Sequence, residues 1–501
     1  MDIKQKKSPL TWVWIAATVV FCAMFTFALI PGASAQANSP GGVSPSSSTQ
    51  SQIRNYYNTI QTVFDFIIRS YVEEVDPKLL FEGAMNGMFN ALEDPYSAFL
   101  TESDMKDLSD TTQGSFGGVG LNITKAVGQQ RPDGKPSWVE VVSPIEDTPG
   151  WRAGINPGDF IIEIDGTPTE TLTMDEVLAR LRGTPGESVR LVIKRGERME
   201  FPVTITRAII EVPTAKHAMI GDTGYLKLIT FTPFTADRAR DAISEFRDKN
   251  YKNLILDLRN NYGGRLDSAV EIANLFLDGG LVVRTRSRIP SENRDWNARR
   301  STLVPEDIPV IVLINRGSAS ASEIVAGALK DRGRAYLVGE NTFGKGSVQQ
   351  VYPLSAVGFK ITTARYFTPS DVNIDKVGIP PDREVLFPDF TEEDADRMNR
   401  LINDNVIPPF AEQNPLATAA QIDSFARTLE QRYDLSLSLL KRLIRNELNR
   451  TTIAPVYDLE YDIQLQEALN IFRNGNYQNL LQNARTLRAL QEEAEERALA
   501  G

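Results

Sequence analysis

The sequence is poor in the two side chains that most often build hydrolytic and metal centres. Among 501 residues there is one cysteine, Cys22, and one histidine, His217. A single cysteine excludes an intrachain disulfide and a Cys-rich metal site. A single histidine excludes a zinc site with several imidazole ligands, and any Ser-His-Asp triad would have to use His217. A hydrolase of this composition is expected to take its general base from another side chain. Basic excess is missing too: Lys and Arg number 54 against 65 Asp and Glu, for a formal charge of −11. A nucleic-acid binder needs a basic face, and the chain as a whole supplies none. The apolar fraction of 42% with 24% charged residues is an ordinary globular balance, which excludes a wholly disordered chain. The length points to roughly three or four units.

The first unit reads as an address. Lys4, Lys6 and Lys7 precede an uncharged apolar stretch over 10–30, followed by Pro31-Gly32 and the small-x-small run Ala33-Ser34-Ala35. Residues 1–35 therefore read as a secretory signal peptide or, given the length of the apolar run, an uncleaved membrane anchor. Either way the body is expected outside the cytoplasm, periplasmic or held at the inner membrane. Cys22 lies in the apolar run, so the exported body carries no thiol. Residues 36–51 are uncharged and rich in Ser, Pro and Gly, as a flexible tether is.

Residues 52–113 read as a helical module. Ile60, Val63, Phe64, Phe66 and Ile67 form one apolar stripe, and Leu79, Leu80, Ala84, Met85, Met88 and Phe89 form another. Asp94-Pro95-Tyr96-Ser97 is a turn. From 114 to 210 the pattern is β-rich, with strand-like pieces at 138–142, 159–164, 188–194 and 199–206 and one helical piece at 173–182. From 211 to 390 strands and helices alternate, which argues for an α/β layer domain. Residues 284–307 are polar, Arg-rich and without periodicity, and read as a surface loop or lid. Residues 391–501 read as a charged helical region, amphipathic over Leu435–Leu448 and Leu465–Phe472.

Four stretches carry possible chemistry. Asn315–Glu323 (NRGSASASE) joins an apolar strand to a helix. A hydroxyl mounted there stands at the sheet edge, with helix amides pointing at whatever it attacks, although serines also simply cap helices. Gly344-Lys345-Gly346-Ser347 places a lysine between glycines after a buried strand. Burial lowers a lysine pKa and makes it a base able to activate serine, and in a chain with one histidine Ser plus Lys is the cheapest hydrolytic pair. Gly339-x4-Gly344-Lys345 approaches a phosphate-binding loop, but Gly346 stands where a Mg²⁺-holding hydroxyl belongs. Asp257–Gly264 (DLRNNYGG) is a Gly-rich turn after a strand, suited to an oxyanion hole or to a tight connection. Gly118-Val119-Gly120-Leu121 is a Gly-x-Gly-apolar loop able to bind a peptide carboxylate through backbone amides. Helix 173–182, with Val177 and Leu181, would flank the groove. His217 reads as a structural or surface residue.

Together with the run Ala153–Gly166 and the motifs Glu93-Asp94-Pro95-Tyr96-Ser97, Thr362–Tyr366 and Gly378–Asp382, these residues resemble the C-terminal processing peptidases, or tail-specific proteases. The resemblance covers about residues 55–385. It implies an α/β multidomain chain: a helical N-terminal part, a β-rich PDZ domain, an α/β (crotonase-like) protease core and a helical end. It implies a Ser-Lys dyad with Ser320 as nucleophile and Lys345 as general base, and Gln349 orienting the lysine. Gly263, Gly264 and the amide of Ala321 match the oxyanion hole. Gly118, Val119, Gly120, Leu121, Val177 and Leu181 would receive a substrate C-terminus, and Arg182 would couple that domain to the core. No metal or cofactor is implied. The implied partners are polypeptide substrates, an activating adaptor or lipoprotein, and a second copy bound through the helical ends. Two other readings stay open at this point: a cleavage-incompetent PDZ scaffold, and a different hydrolase on the same core.

Overall fold

The computed structural model describes residues 47–125, 137–196, 198–386, 392–450 and 455–500. Residues 1–35, read above as a signal peptide or anchor, and residues 36–46 of the expected tether lie outside these. Helix Ser47–Ser70 starts inside the expected tether, because nothing after Pro45 interrupts a helix. The chain divides into two compact units. One runs to Gln113, resumes over Thr214–Glu384 and closes with the chain from Ala468; the other joins Gly114–Pro213 to Val385–Glu467.

The first unit is built on a six-stranded sheet ordered Ala215–Ile220, Thr223–Leu228, Asn253–Asp257, Val310–Ile314, Tyr336–Gly339, Arg383–Glu384. The first pair is antiparallel and the rest are parallel. Every residue of Val310–Ile314 is buried, as a central parallel strand covered on both faces requires. Helices Thr235–Asp248, Leu266–Ala273 and Ala321–Asp331 supply the cover. Parallel strands need crossover connections, so the loops that follow Asp257, Ile314 and Gly339 emerge at one edge, at the carboxyl ends of three adjacent strands. Those are the loops that hold Gly263-Gly264, Ser320 and Lys345.

A second sheet contains Ala98–Leu100, Gly280–Ser287, Arg294–Ala298, Ser347–Leu354 and Val357–Phe367. Two sequence expectations are corrected here. The Arg-rich segment 284–307, read as a loop or lid, takes in most of the hairpin Gly280–Ser287 with Arg294–Ala298. Val283 and Thr285 turn inward while Arg284 and Arg286 turn outward to Asp295 and Asp371, so the charges mask an ordinary strand alternation. The helical module 52–113 contains the strand Ala98–Leu100, which pairs with Val357–Phe367.

The helical end 391–501 is likewise not one region. From Ala468 onward it belongs with the core: Leu487 is buried in the core cluster, and the Tyr477 hydroxyl bridges Val310 O (2.9 Å) and Val310 N (3.1 Å). Single anchors in a charged sequence carry no periodic signal, which is why composition groups the two parts together.

In the second unit, strands Leu121–Lys125, Val139–Pro144, Phe160–Ile164, Ser188–Arg195 and Met199–Thr206 form a sheet around helix Met174–Leu181. Its core gathers Val119, Val141, Ile161, Val177, Leu181, Leu191 and Ile205. Helices between Glu392 and Arg450 have a core of their own that includes Leu401, Ile422, Leu429, Leu440 and Ile444.

Candidate active site

Three serines compete for the nucleophile's role in the sequence, and the fold separates them. Ser318 Oγ donates to Leu258 O at 2.8 Å, and Ser322 Oγ donates to Asn261 O at 2.7 Å. Both hydroxyls stitch the Ser320 loop to the loop after Asp257. Ser320 instead lines a narrow cleft with Gly264, Leu266, Ile324, Ser347, Val348, Gln349 and Tyr366. Its backbone sits at φ +54°, ψ −110°, a left-handed setting that a non-glycine residue adopts at a cost. That bend lets Ser320 stand at the mouth of helix Ala321–Asp331, where amides without intrahelical partners begin.

Lys345 is 1% exposed. Burial is the larger influence on its amine and nearby Lys360 pushes the same way, against the pull of Glu323 and Asp94; together they bring it down to about 7. The Lys345 Nζ lies 4.8 Å from the centre of the Tyr96 ring.

Two buried side chains fasten the serine loop to the lysine loop. Glu323 accepts from Ser320 N (2.8 Å), Gly344 N (2.7 Å), Lys345 N (2.9 Å) and Thr342 Oγ1 (2.6 Å). Burial pushes its carboxyl up, but three of the four partners are backbone amides, which can only donate, so the site is shaped for the carboxylate. Tyr366 donates its hydroxyl to Lys345 O and stands 3.3 Å from Ser320 O. Gly344, at φ +89°, keeps the lysine loop against Val377 N, where a Cβ would come within 2.9 Å.

The glycine turn is also explained by contact. A Cβ on Gly264 would stand 2.1 Å from Phe231 O, and the residue adopts φ +147°. Gly264 lines the Ser320 cleft, and Ala321 opens the helix beside it. The Gly263 amide, expected with Gly264 in an oxyanion hole, donates to Asn261 Oδ1 at 2.9 Å inside its own turn. Asn261 Nδ2 in turn holds Leu228 O at 2.9 Å. Below the turn, Asp257 is buried with a bidentate Arg259 (2.9 and 2.6 Å) and the Tyr225 hydroxyl (2.6 Å). The guanidinium keeps its carboxyl low despite burial.

Gln349 lines the same cleft. Its Nε2 donates to Ser347 Oγ (3.0 Å) and Thr362 Oγ1 (3.1 Å). Thr362 Oγ1 donates on to Asp94 Oδ2 at 2.6 Å. Asp94, Tyr96, Glu323, Thr342 and Tyr366 are the site residues whose roles sequence reasoning missed. The Ser320-x-x-Glu323 spacing of a capping box was the available signal for Glu323. Asp94, Tyr96 and Tyr366 stand in motifs the sequence offers, but Thr362, Lys345 and Ser320, which they meet, are too far along the chain for spacing to show the contact.

His217 is a surface residue of the edge strand Ala215–Ile220. It bonds Glu245 at 2.8 Å and meets the Phe246 ring edge-on at 5.8 Å. In the second unit, Val177 and Leu181 are the buried residues of helix Met174–Leu181 and join Val119 in one core cluster, against which Leu121 packs. Gly118 pairs with Ala208. Gly120 O accepts from Ile145 N (2.9 Å) and Thr148 Oγ1 (3.0 Å), which shapes the loop. Arg182 caps the helix, and its guanidinium lies 5.1 Å over the Phe116 ring. Among the described residues no group of His, Cys, Asp and Glu is arranged to hold a metal ion.

Comparisons with known proteins agree with this layout. Residues 222–385 match the model of peptidase family S41, 140–195 a PDZ domain, and 19–103 the N-terminal domain of the activating protease CtpB. The carboxy-terminal-processing protease of Bartonella bacilliformis is 41% identical over 326 residues, covering 64% of this chain and 73% of that one. The carboxy-terminal processing protease CtpB of Bacillus subtilis is 35% identical over 340 residues, covering 66% and 68%. The chloroplastic carboxyl-terminal-processing peptidase 2 of Arabidopsis thaliana is 40% identical over 310 residues, covering 60% and 59%. These matches, with a PDZ domain ahead of a core that carries a serine at a helix mouth and a buried lysine, place this chain among the carboxy-terminal processing proteases, serine-type peptidases of family S41.

Proposed function

We propose that this protease is an endopeptidase that cuts exported polypeptides with a Ser320–Lys345 dyad after its PDZ domain takes up their C-termini. The observation that carries the reading is Lys345: a buried amine lowered to about 7, sharing the Glu323 and Tyr366 tethers with Ser320. An amine with that pKa is largely unprotonated just above neutrality, whereas an ordinary lysine near 10.5 keeps its proton.

Lys345 Nζ takes the hydroxyl proton as Ser320 Oγ adds to the scissile carbonyl carbon. The carbonyl electron pair moves onto oxygen, which faces the amides of Gly264 and Ala321. When the tetrahedral adduct collapses, the C–N bond breaks and Lys345 returns the proton to the leaving amine. The neutral lysine then activates water, which releases the acyl group from Ser320. Gln349, anchored by Ser347 and Thr362, orients the amine. Arg182, at the end of the PDZ helix, couples that domain to the core.

The basic and apolar run over 4–30 supports export to the periplasm, free or anchored at the inner membrane. Exposed Tyr56, Tyr57, Ile60, Val63 and Phe66 on helix Ser47–Ser70 support a second copy bound through the helical ends, with an adaptor or lipoprotein as a further partner.

The test is cleavage of labelled, unfolded casein by the full chain, with a free-carboxylate peptide present to engage the PDZ domain. Ser320→Ala and Lys345→Ala are each expected to lose at least about 100-fold in rate. Cleavage at the wild-type rate by either variant sinks the dyad. Wild-type protein that leaves casein as intact as Ser320→Ala does establishes the scaffold reading instead.

A further inference from the structure

The turn before strand Ala98–Leu100 lies far from Ser320 in sequence and next to its base in space. We infer that this turn is part of the catalytic apparatus: Tyr96 and Asp94 are positioning residues, the first holding the Lys345 ammonium, the second anchoring Gln349 through Thr362. The inference rests on the reading of Lys345 as general base.

Two independent sets of contacts support it. The Tyr96 ring faces Lys345 Nζ at 4.8 Å. The negative face of an aromatic ring attracts an ammonium and not a neutral amine. It therefore favours the protonated lysine, which is the state formed as Ser320 attacks. On the other side, Asp94 Oδ2 accepts from Thr362 Oγ1 (2.6 Å) and Ser97 Oγ (2.5 Å), and Asp94 Oδ1 accepts from Tyr96 N (3.0 Å). Thr362 Oγ1 then receives Gln349 Nε2 at 3.1 Å. One carboxylate so fixes both the turn that carries Tyr96 and the glutamine that lines the Ser320 cleft. The Ser97 hydroxyl closes the arrangement by accepting from Thr362 N at 3.0 Å.

Backbone pairing alone would have docked the N-terminal segment. Ala98 stands opposite Lys360 and Leu100 opposite Gly358 with no need of Tyr96 or Asp94. The turn adds an aromatic face and a charge at the one amine whose protonation matters. Lys360 on strand Val357–Phe367 also bears on that amine and lowers its proton affinity, and Glu323 on the nucleophile helix raises it. The Tyr366 phenol meets the Lys345 carbonyl, and Asp375 Oδ1 takes the Gly346 amide at 3.1 Å. Asp94 acts on Lys345 in the same direction as Glu323.

The rate at which a fluorophosphonate labels Ser320, followed from pH 5 to 10 in the full chain, reads the base without involving substrate docking. Wild type is expected to label along a curve that rises through about pH 7. Tyr96→Leu is expected to move the midpoint down by about half to one pH unit and to slow the plateau about threefold to tenfold, because the ammonium loses its partner. Tyr96→Phe restores the wild-type midpoint. Asp94→Asn, which keeps the volume and removes the charge, also lowers the midpoint and carries the test if the leucine variant does not fold. A wild-type midpoint in Tyr96→Leu or in Asp94→Asn, whatever happens to melting temperature, overturns the inference. Labelling of Lys345→Ala at the wild-type rate overturns the reading of the base itself. Loss of labelling in Lys345→Ala with unmoved midpoints in the turn variants overturns only the role given to the turn.

Discussion

Exchanging Glu323 for glutamine keeps the size of the side chain and removes its charge. A glutamine has one acceptor oxygen and would turn an NH₂ group toward amides that can only donate. Glu323→Gln is therefore expected to lose stability by about 1–3 kcal/mol, read by urea unfolding, and to cut labelled casein at least about tenfold more slowly. Gly264→Ala is expected to lose cleavage by a similar factor, since its Cβ would overlap Phe231 O. Lys345 makes a prediction with a definite sign. Its folded pKa of about 7 lies below the ordinary 10.5, so between those values the unfolded chain binds more protons. Stability contributed by this group then rises with pH across that window and is lost as pH falls through it. Lys345→Met is expected to be inactive and more stable than wild type at pH 7, by an amount on the order of a few kcal/mol that shrinks toward pH 10. A stability gap that does not change with pH would contradict the buried neutral amine. The loops that carry Ser320 and Lys345 stand out in the sequence because each has a distinctive neighbourhood. Asp94 and Tyr366 stand in motifs the sequence offers, but their contacts were not legible, because the partners lie far along the chain: 268 residues separate Asp94 from Thr362.

Elements with a strong period were read well. Strand Met199–Thr206 has the bounds its alternation indicates, and Phe201, Val203 and Ile205 face inward as expected. Helix Leu437–Arg450 buries Leu440, Ile444 and Leu448 at spacings of four, as its stripe requires. The failures have one cause. In the Gly280–Ala298 hairpin, arginines occupy the outward positions, and local composition outweighed the alternation. In helix Leu487–Ala500 the docking is carried at the first turn, by buried Leu487, whose amide donates to Asp331 Oδ1 at 2.7 Å, and by Arg488 on Ser370 O at 3.1 Å. The neighbouring helix Tyr477–Gln482 is held by one phenol on Val310. Tyr477→Phe leaves both Val310 backbone groups without that partner. It is expected to cost about 1–3 kcal/mol in urea unfolding, with casein cleavage retained below the melting temperature. An unchanged midpoint would show that the tail is not part of the core's cooperative unit.

For the whole molecule, binding and cutting fall to different modules, each with its own hydrophobic core. Ser320→Ala protein is accordingly expected to bind a peptide with a free C-terminal carboxylate at least about tenfold more tightly than its C-terminal amide, by calorimetry, because loop amides such as those at Gly118–Leu121 prefer an anion. Equal affinity would remove the PDZ loop from substrate capture. The sequence by itself determined the order of modules, the scarcity of histidine that leaves imidazole chemistry to one residue, and the strand and helix content where apolar residues repeat at short range. Only the tertiary structure decided that Glu323 and Tyr366 join two loops, that the Gly263 amide is already engaged, that Tyr96 comes to rest on Lys345, and that the tail from Ala468 belongs to the core. Periodicity is a local property carried by neighbouring residues. A hydrogen bond or a ring face depends on which distant segments the parallel strands bring to one edge, and that is set by the packing of the whole core.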